Sequence, residues 1–471
     1  MGEELWRWSA TRMAEAIRTK EVSSLECVES CIGRIEAVNP AVNAIVDPLY
    51  DEARRSAEKA DAAISRGKSV GPLHGVPVTV KINIDYAGRP TTNGAAQFQD
   101  RIPQADAPLI EKWREAGAVI VGRTNTPAMS FGLFTNNKLY GRTLSPWDPK
   151  VTPGGSSGGA AVSVATGMVP LTHGNDSGGS IRYPAYCCGI FGMRPTFGRV
   201  PHYSGTAPSE MAIMSQLALC NGPFARTIDD LRVALNAMSG HDLRDPWSSF
   251  APISGRAVHR PCKVAVLTGL PGVQADIEVV AAVWQAARWL ADAGYRIEEC
   301  TPPHYAEASA LRDKLLIHEL RIHNLPMIEA SAPPEEINEA HALLSATPEV
   351  DFEAFRTGLA RRTTILREWL AFMQDYPIVL TPTTWRKPQA IDTYDDPVGL
   401  TAEQVLELSP LHVTPLLGLP TLAAPTGLSG GVPMGVQLMG SLFQEERLFA
   451  AGAVLEKNCA RLTPKDPASS R

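Results

Sequence analysis

Cysteine is scarce in this chain: eight residues among 471, at positions 27, 31, 187, 188, 220, 262, 300 and 459. So thin a supply, with no secretion signal beside it, argues against a disulfide framework. Cys27 and Cys31 are four apart on a helical pattern, but no second Cys/His pair stands at zinc-like spacing. They read as small packing residues. An excess of basic charge is also missing. Lys and Arg number 44 against 50 Asp and Glu, a formal net charge of −6, which excludes a nucleic-acid binder held by a basic surface. Long apolar runs are absent too. The best stretch, Ala160 to Leu171, is about a dozen residues, short of the roughly 18–20 that a membrane helix needs. It reads as a buried helix. The opening Met1-Gly2-Glu3-Glu4-Leu5-Trp6 has neither a basic segment nor a following apolar core, so it does not read as a signal peptide. The expectation is a reduced, cytoplasmic protein with no membrane partner. There are no repeats and no long linker. With 44% hydrophobic and 20% charged residues, the chain is too apolar to be disordered.

What is present is α/β grammar. Ser23 with Glu26 three residues later forms a capping box before the apolar face Cys27, Val28, Ile32 and Ile35, and Asn39-Pro40 is expected to stop that helix. Asp51 to Ile64 reads as a polar helix. Val76 to Lys81 is a β-rich run, Ala107 to Gly117 is helical, and Ala118 to Val121 is a short buried strand. The alternation returns at Lys263–Leu267, Ala275–Ala293 and Tyr295–Glu298. It returns again at Ile378–Leu380, Thr421–Ala424 and Gly435–Leu438, closed by a helix over Glu445–Lys457. The expected organisation is a helical segment at 1–70 packed on one α/β/α domain at 71–462, with a mostly helical stretch at 304–375, and a frayed polar tail at 463–471.

Residues 152–199 are unlike the rest. Thr152-Pro-Gly-Gly-Ser156-Ser157-Gly-Gly is followed, a short helix later, by His173-Gly-Asn-Asp176-Ser177-Gly178-Gly179-Ser180-Ile-Arg182-Tyr-Pro184-Ala. Such clusters serve either as plain loops or as turns that hold a nucleophilic serine among free backbone N–H groups. A phosphate-binding loop is excluded, because Ala160, not Lys, follows Gly159. Gly154-Gly-Ser156-Ser-Gly158 formally fits a Gly-x-Ser-x-Gly elbow, for which His412 is the only histidine after 341. His318-Glu319-Leu-Arg-Ile-His323 looks like a zinc-binding helix with one residue too many. At about 100° per residue its two histidines stand about 140° apart and cannot share one metal.

Taken in order, these two clusters resemble the amidase signature family of serine hydrolases. The likeness extends to Gly71-Pro-Leu-His-Gly-Val-Pro-Val-Thr-Val-Lys81, Val121-Gly-Arg-Thr-Asn-Thr-Pro127, Cys188-Gly189, Arg194-Pro-Thr-Phe-Gly-Arg-Val200, Gly222-Pro-Phe-Ala-Arg226, Leu380-Thr-Pro-Thr383 and Leu419-Pro through Gly435-Val-Gln-Leu438. It runs from about Ser9 to Ala451. The resemblance implies a single α/β/α domain around a mixed, twisted sheet, with no cofactor and no metal. It implies Ser180 as nucleophile, Ser156 as bridging serine after a cis peptide, and Lys81 as base. The backbone N–H groups of Ser177, Gly178, Gly179 and Ser180 would form the oxyanion hole. It further implies a small-molecule amide-type substrate and a homodimer.

Lysine, with an ordinary pKa near 10.4, serves as a base only when desolvation or a neighbouring cation lowers that value. Lys81 ends the apolar run Val76–Val80 and precedes Ile82-Asn83-Ile84, where burial would hold it neutral. Asp176 and Arg182 read as scaffolding for the turn. The sequence departs from the family at Ile82, where Asp is common after the lysine, at Cys187, where a bulky aromatic is common, and at Met193-Arg194 in place of Leu-Lys. The acyl pocket is expected from Met129, Phe131, Phe134, Thr135 and Asn136, together with Gly155. Their apolar and aromatic content points to a hydrophobic acyl or aryl group, or else Phe131 and Phe134 are core. The stretch 304–375 and Trp385 are expected to wall the other side. The expected activity is hydrolysis of a carboxamide, anilide or carbamate. Two alternatives stand beside it: a glutaminase-type subunit of a tRNA-dependent amidotransferase, and an inactive scaffold of the same fold.

Overall fold

Short runs of apolar and β-branched residues, separated by amphipathic helices, assemble in the computed structural model into one eleven-stranded sheet. The structure describes residues 4–251, 261–393 and 402–468, with side chains left out at 402–404. The strands are β1 (Ile45–Pro48), β2 (Pro77–Lys81), β3 (Val119–Thr124), β4 (Leu171–Asp176), β5 (Phe191–Arg194), β6 (Cys220–Ala225), β7 (Lys263–Val266), β8 (Arg296–Glu299), β9 (Ile378–Pro382), β10 (Thr421–Ser429) and β11 (Val432–Gly440). Their spatial order is β1-β3-β2-β4-β6-β5-β10-β11-β9-β7-β8. Pairing is parallel for β3-β2-β4 and β9-β7-β8 and antiparallel elsewhere, so the sheet is mixed. The expected α/β class with helices covering a mixed sheet is the one observed.

The first seventy residues are not purely helical. The helix Ser24–Val42 carries the Ser23–Glu26 capping box, but it runs through Pro40 to end at Asn43, which is left-handed with φ 50°. Asn39 explains the delayed stop. Its Oδ1 accepts from the amides of Ala44 and Ile45, at 2.8 and 2.9 Å, and its Nδ2 donates to Ile45 O at 2.8 Å. That clasp turns the chain into β1, which pairs antiparallel with β3 at the sheet edge. Cys27 and Cys31 are unpaired and fully buried.

Three strands at the heart of the sheet were not expected from the sequence: β4, β5 and β6. Their residues, Leu-Thr-His-Gly-Asn-Asp in β4 and Cys-Asn-Gly-Pro-Phe-Ala in β6, include poor strand formers, yet every one is buried. Of their polar side chains, Asn175 reaches Lys81 and Asp176 holds the following turn, whereas Thr172 bonds to Thr79 and His173 pairs with Asn221 within the sheet. Because β2 and β4 run parallel, their carboxyl ends emerge on the same edge, where open α/β sheets carry their ligands. Lys81 ends β2, and Asn175 and Asp176 end β4. The stretch 304–375 is helical as expected, with helices Tyr305–Glu319, Leu325–Ser331, Pro334–Ala346 and Phe352–Asp375. Among the described residues no helix is long and apolar enough to cross a membrane.

Candidate active site

Strand alternation fixes the first half of the site. His173 and Asn175, two apart on β4, share the face that meets Lys81. The backbone N–H of Lys81 donates to His173 Nδ1 at 3.4 Å, and Lys81 Nζ lies 2.7 Å from Asn175 Oδ1. The same Nζ is 2.7 Å from Ser156 Oγ and 3.2 Å from Ser157 Oγ. Lys81 is 0% exposed, and Ile82 beside it is 1% exposed. Burial pushes the amine well below its ordinary range, against a smaller opposing pull from the Asp176 carboxylate. The peptide bond between Gly155 and Ser156 is cis.

The second half is the turn after β4. Burial alone would raise the Asp176 carboxyl, but Arg182 and Arg194 hold it well below the usual carboxylate range. Asp176 accepts from Arg182 Nε and Nη2 at 3.0 and 3.1 Å, and from the amides of Gly179 and Ile181 at 2.8 and 3.2 Å. Arg182, itself 0% exposed, continues to Leu411 O at 2.6 Å and Gln437 Oε1 at 3.1 Å. This network bends the chain tightly enough that Gly179 has φ +113°. It also narrows the set of free donors. The Gly179 amide is taken by Asp176, so among the described residues only the amides of Ser177, Gly178 and Ser180 in this turn donate to no protein acceptor.

Ser180, Ser177, Ser156 and Asn175 line one cavity of about 630 Å³. Ser180, Ser177 and Gly178 also line an adjoining one of about 180 Å³. The Ser180 hydroxyl has no hydrogen-bond partner among the described residues, so Ser156 is bonded to Lys81 but not to Ser180. The smaller cavity is walled by Met129, Phe131, Leu133, Leu316, Ile317 and Leu343, with Arg312, Glu339 and His412 as its charged or titratable members.

Of the six residues expected to bind substrate, Met129 and Phe131 line this cavity and four do not. Phe134 is buried against Ala342 as core. Thr135 Oγ1 donates to Gly154 O at 2.9 Å and accepts from the Gly158 amide at 3.1 Å, bracing the serine loop from behind. Asn136 donates to Glu335 at 2.5 Å. Gly155 packs so tightly that a Cβ there would lie 2.5 Å from Gly132 O. Trp385 is not a wall either. It is 0% exposed in the core and donates to Ser409 Oγ at 3.0 Å. Glu319, from the zinc-like pattern, accepts from the Met214 and Ser215 amides at 2.7 and 2.9 Å and so caps the helix Ile213–Ala218.

Sequence reading missed Asn175 and Ser157 as partners of Lys81, and Arg312 and Glu339 as cavity residues. Asn175 and Ser157 sit inside the Gly/Ser clusters, and the β4 alternation would have pointed to Asn175. Glu336 and Glu339, one turn apart on the helix Pro334–Ala346, accept from the amides of Ala128 and Leu133 at 3.2 and 2.9 Å and hold the pocket loop between them. Burial, then the charge of Glu339, drives Glu336 well above the ordinary carboxyl range, and burial pushes Glu339 up to about 8. In the unfolded chain Glu339 ionises near 4.5. Between these limits the folded state holds a proton the unfolded state has lost, so this carboxyl's contribution to stability falls as pH rises from about 4.5 to about 8. Glu339→Gln keeps an acceptor for Leu133 and cannot ionise. It is expected to gain on the native protein between pH 5 and pH 9, at no more than about 1.4 kcal/mol per pH unit, the linkage value for one proton. Urea midpoints at the two pH values check this, and an equal difference at both would refute it.

A desolvated amine behind Ser156, with two hydroxyls and unengaged amides at one cavity, is the equipment of an acyl-transfer hydrolase. The comparisons agree with that class. A family model described as Amidase matches residues 26–449. The chain is 39% identical over 468 residues to an indoleacetamide hydrolase of Bradyrhizobium diazoefficiens, covering 97% of this chain and 88% of the relative. It is 33% identical over 484 residues to a glutamyl-tRNA(Gln) amidotransferase subunit from Moorella thermoacetica, covering 97% of each. A crystal structure of a bacterial aryl acylamidase of the amidase signature family superposes with a TM-score of 0.82 at 28% identity, covering 97% of each chain. The chain belongs to the amidase signature family and is an amide-hydrolysing enzyme.

Proposed function

We propose that the protein hydrolyses the C–N bond of a small carboxamide, anilide or carbamate carrying an apolar or aryl acyl group, through an acyl-enzyme on Ser180. The observation that carries this reading is the buried Lys81 Nζ within 2.7 Å of Ser156 Oγ. A neutral amine has two N–H donors and one lone pair. Asn175 Oδ1 accepts only, and Ser157 Oγ already donates toward Asn175 O at 3.4 Å, so these two take the donors. The lone pair is left for the Ser156 proton. Ser180 Oγ attacks the carbonyl carbon, its proton passes to Ser156, and the Ser156 proton passes to Lys81. When the C–N bond breaks, the protons return along the same path to the leaving nitrogen. Water then attacks the acyl-enzyme, with Lys81 again accepting the proton through Ser156 and returning it by the same path to Ser180 Oγ as the carboxylic acid leaves. The Ser180-to-Ser156 hydrogen bond forms as substrate fills the cavity, since such contacts commonly tighten only in the substrate complex. The developing oxyanion is held by the free amides of the turn.

The apolar wall of Met129, Phe131, Leu133 and Leu316 supports an aryl or alkyl acyl group, as do the names of the indoleacetamide hydrolase and aryl acylamidase relatives. The amidotransferase relative keeps a second reading in play, a glutaminase working with partner chains. A glutamine site needs charges for both the α-carboxylate and the α-ammonium. The smaller cavity offers Arg312, already paired with Asp313 at 2.9 Å, and Glu339, whose carboxyl burial raises to about 8, while Arg101 and Glu210 line the larger one. A panel of arylacetamides, anilides, carbamates and glutamine, read by amine release from the isolated chain, tests this. An arylacetamide or anilide is expected to exceed glutamine in kcat/KM by about 100-fold or more. Preference for glutamine would favour the second reading.

A further inference from the structure

We propose that Arg312 is a positioning residue of the oxyanion hole: by holding the Ser177 carbonyl, it aims the Gly178 N–H at the oxygen that becomes charged when Ser180 attacks. The inference rests on the acyl-enzyme reading above and adds a residue from the helix Tyr305–Glu319 to it. Arg312 Nη2 donates to Ser177 O at 3.1 Å. The peptide joining Ser177 to Gly178 is trans, and in a planar trans peptide the C=O and the following N–H point in opposite directions. A guanidinium on the carbonyl therefore turns the Gly178 N–H away from itself. That N–H has no acceptor among the described residues, and Gly178, Ser180 and Arg312 line the same cavity. The contact is also charge-assisted. Drawing electron density toward the Ser177 oxygen makes the N–H of the same peptide a stronger donor.

Arg312 is fixed from behind. Its Nη1 donates to Asp313 Oδ1 at 2.9 Å, and Asp313 in turn meets His412 Nδ1 at 2.9 Å. The three residues form a buried row from the helix Tyr305–Glu319 to the helix Ser409–Leu417. Gly178 is part of the same fit, since a Cβ there would lie 2.0 Å from Arg312 Nη2 and no side chain fits while the guanidinium stays. His412, the histidine that the elbow pattern would have recruited as a base, is instead engaged through Nδ1 in holding this row.

The test uses the full chain with phenylacetamide as substrate and phenylacetaldehyde as probe, which adds Ser180 Oγ to its carbonyl carbon and presents the resulting oxygen to the same amides. Arg312→Lys and Arg312→Met are expected to lose about 10–100-fold in kcat, with KM changed less than about threefold and aldehyde affinity falling in step with kcat. Gly178→Ala, which displaces the guanidinium without removing it, is expected to move in the same direction. Ethylguanidinium added to Arg312→Ala is expected to restore part of the loss. A rise in KM at unchanged kcat would overturn the proposal in favour of a substrate contact. Loss of kcat with aldehyde affinity intact would overturn it in favour of general damage. If the unsubstituted enzyme hydrolyses phenylacetamide but forms no adduct on Ser180, the acyl-enzyme reading fails and this inference with it. Turnover with adduct formation and insensitive variants defeats this inference alone.

Discussion

Lys81→Ala is expected to lower kcat/KM at neutral pH by about 10²–10⁴-fold, the range that a positioned general base supplies. The size follows from what the lysine does in both directions of proton flow. In the proposed mechanism it draws the proton from Ser180 by way of Ser156 during attack, and it returns that proton to a nitrogen that is otherwise a very poor leaving group. Among the described residues nothing nearby substitutes for it. His173 is the nearest imidazole, but burial holds it down to about 3 and its Nε2 is engaged with Asn221 at 3.2 Å. Ser157 and Asn175 carry no basic group. The loss should be largest for amides and smaller for esters of the same acyl group, because an alkoxide leaves with less help from a proton. Stopped assays on a matched amide and ester pair measure it. Equal losses for the two would shift the role of Lys81 from proton return to attack alone.

Ser180→Ala is expected to remove about 10⁶-fold of kcat, the scale seen when a serine hydrolase loses its nucleophile. Fluorophosphonate labelling should vanish with it. The fold should not change. The Ser180 hydroxyl has no hydrogen-bond partner among the described residues, so deleting one oxygen leaves no buried group stranded. Stability should stay within about 0.5 kcal/mol, as for substitutions that break no network. Asp176 is a different case in the same turn. It takes hydrogen bonds from Arg182 and two amides in the dry interior, so its loss would damage fold and chemistry together. Activity lost with stability intact is what separates a nucleophile from a scaffold. Normal labelling of Ser180→Ala would assign the reactive serine elsewhere.

How much of this was legible in the sequence depended on whether the signal was local. The parallel strands β2, β3, β7 and β9 announce themselves as apolar, β-branched runs between helices. β4 and β6 do not, because their Gly, Pro, His and Asn residues are poor strand formers on their own, and close packing at Gly174 and Gly222 and the His173–Asn221 pair override that propensity. Pro40 misled for a related reason: Asn39 supplies the clasp that ends the helix, and a side-chain hydrogen bond pattern is not visible in composition. Lys81, Ser156 and Ser180 could be picked out because each sits in a stretch that matches the family in order. The pocket could not. Phe134 and Met129 are only five residues apart in one segment, yet one packs inward against Ala342 and the other lines the cavity. Arg312 and Glu339 reach the site from a region far along the chain, and no local pattern marks them.

The most direct measurement of the central claim is the rate of fluorophosphonate labelling of Ser180 as a function of pH. The account requires Lys81 to be uncharged in its dry pocket, so the rate should be nearly flat from pH 7 to pH 9 in the unsubstituted enzyme, and greatly reduced in Lys81→Ala. A rate that climbed tenfold with each pH unit toward the ordinary lysine range near 10.4 would mean that the amine is charged at neutral pH, and would contradict the account.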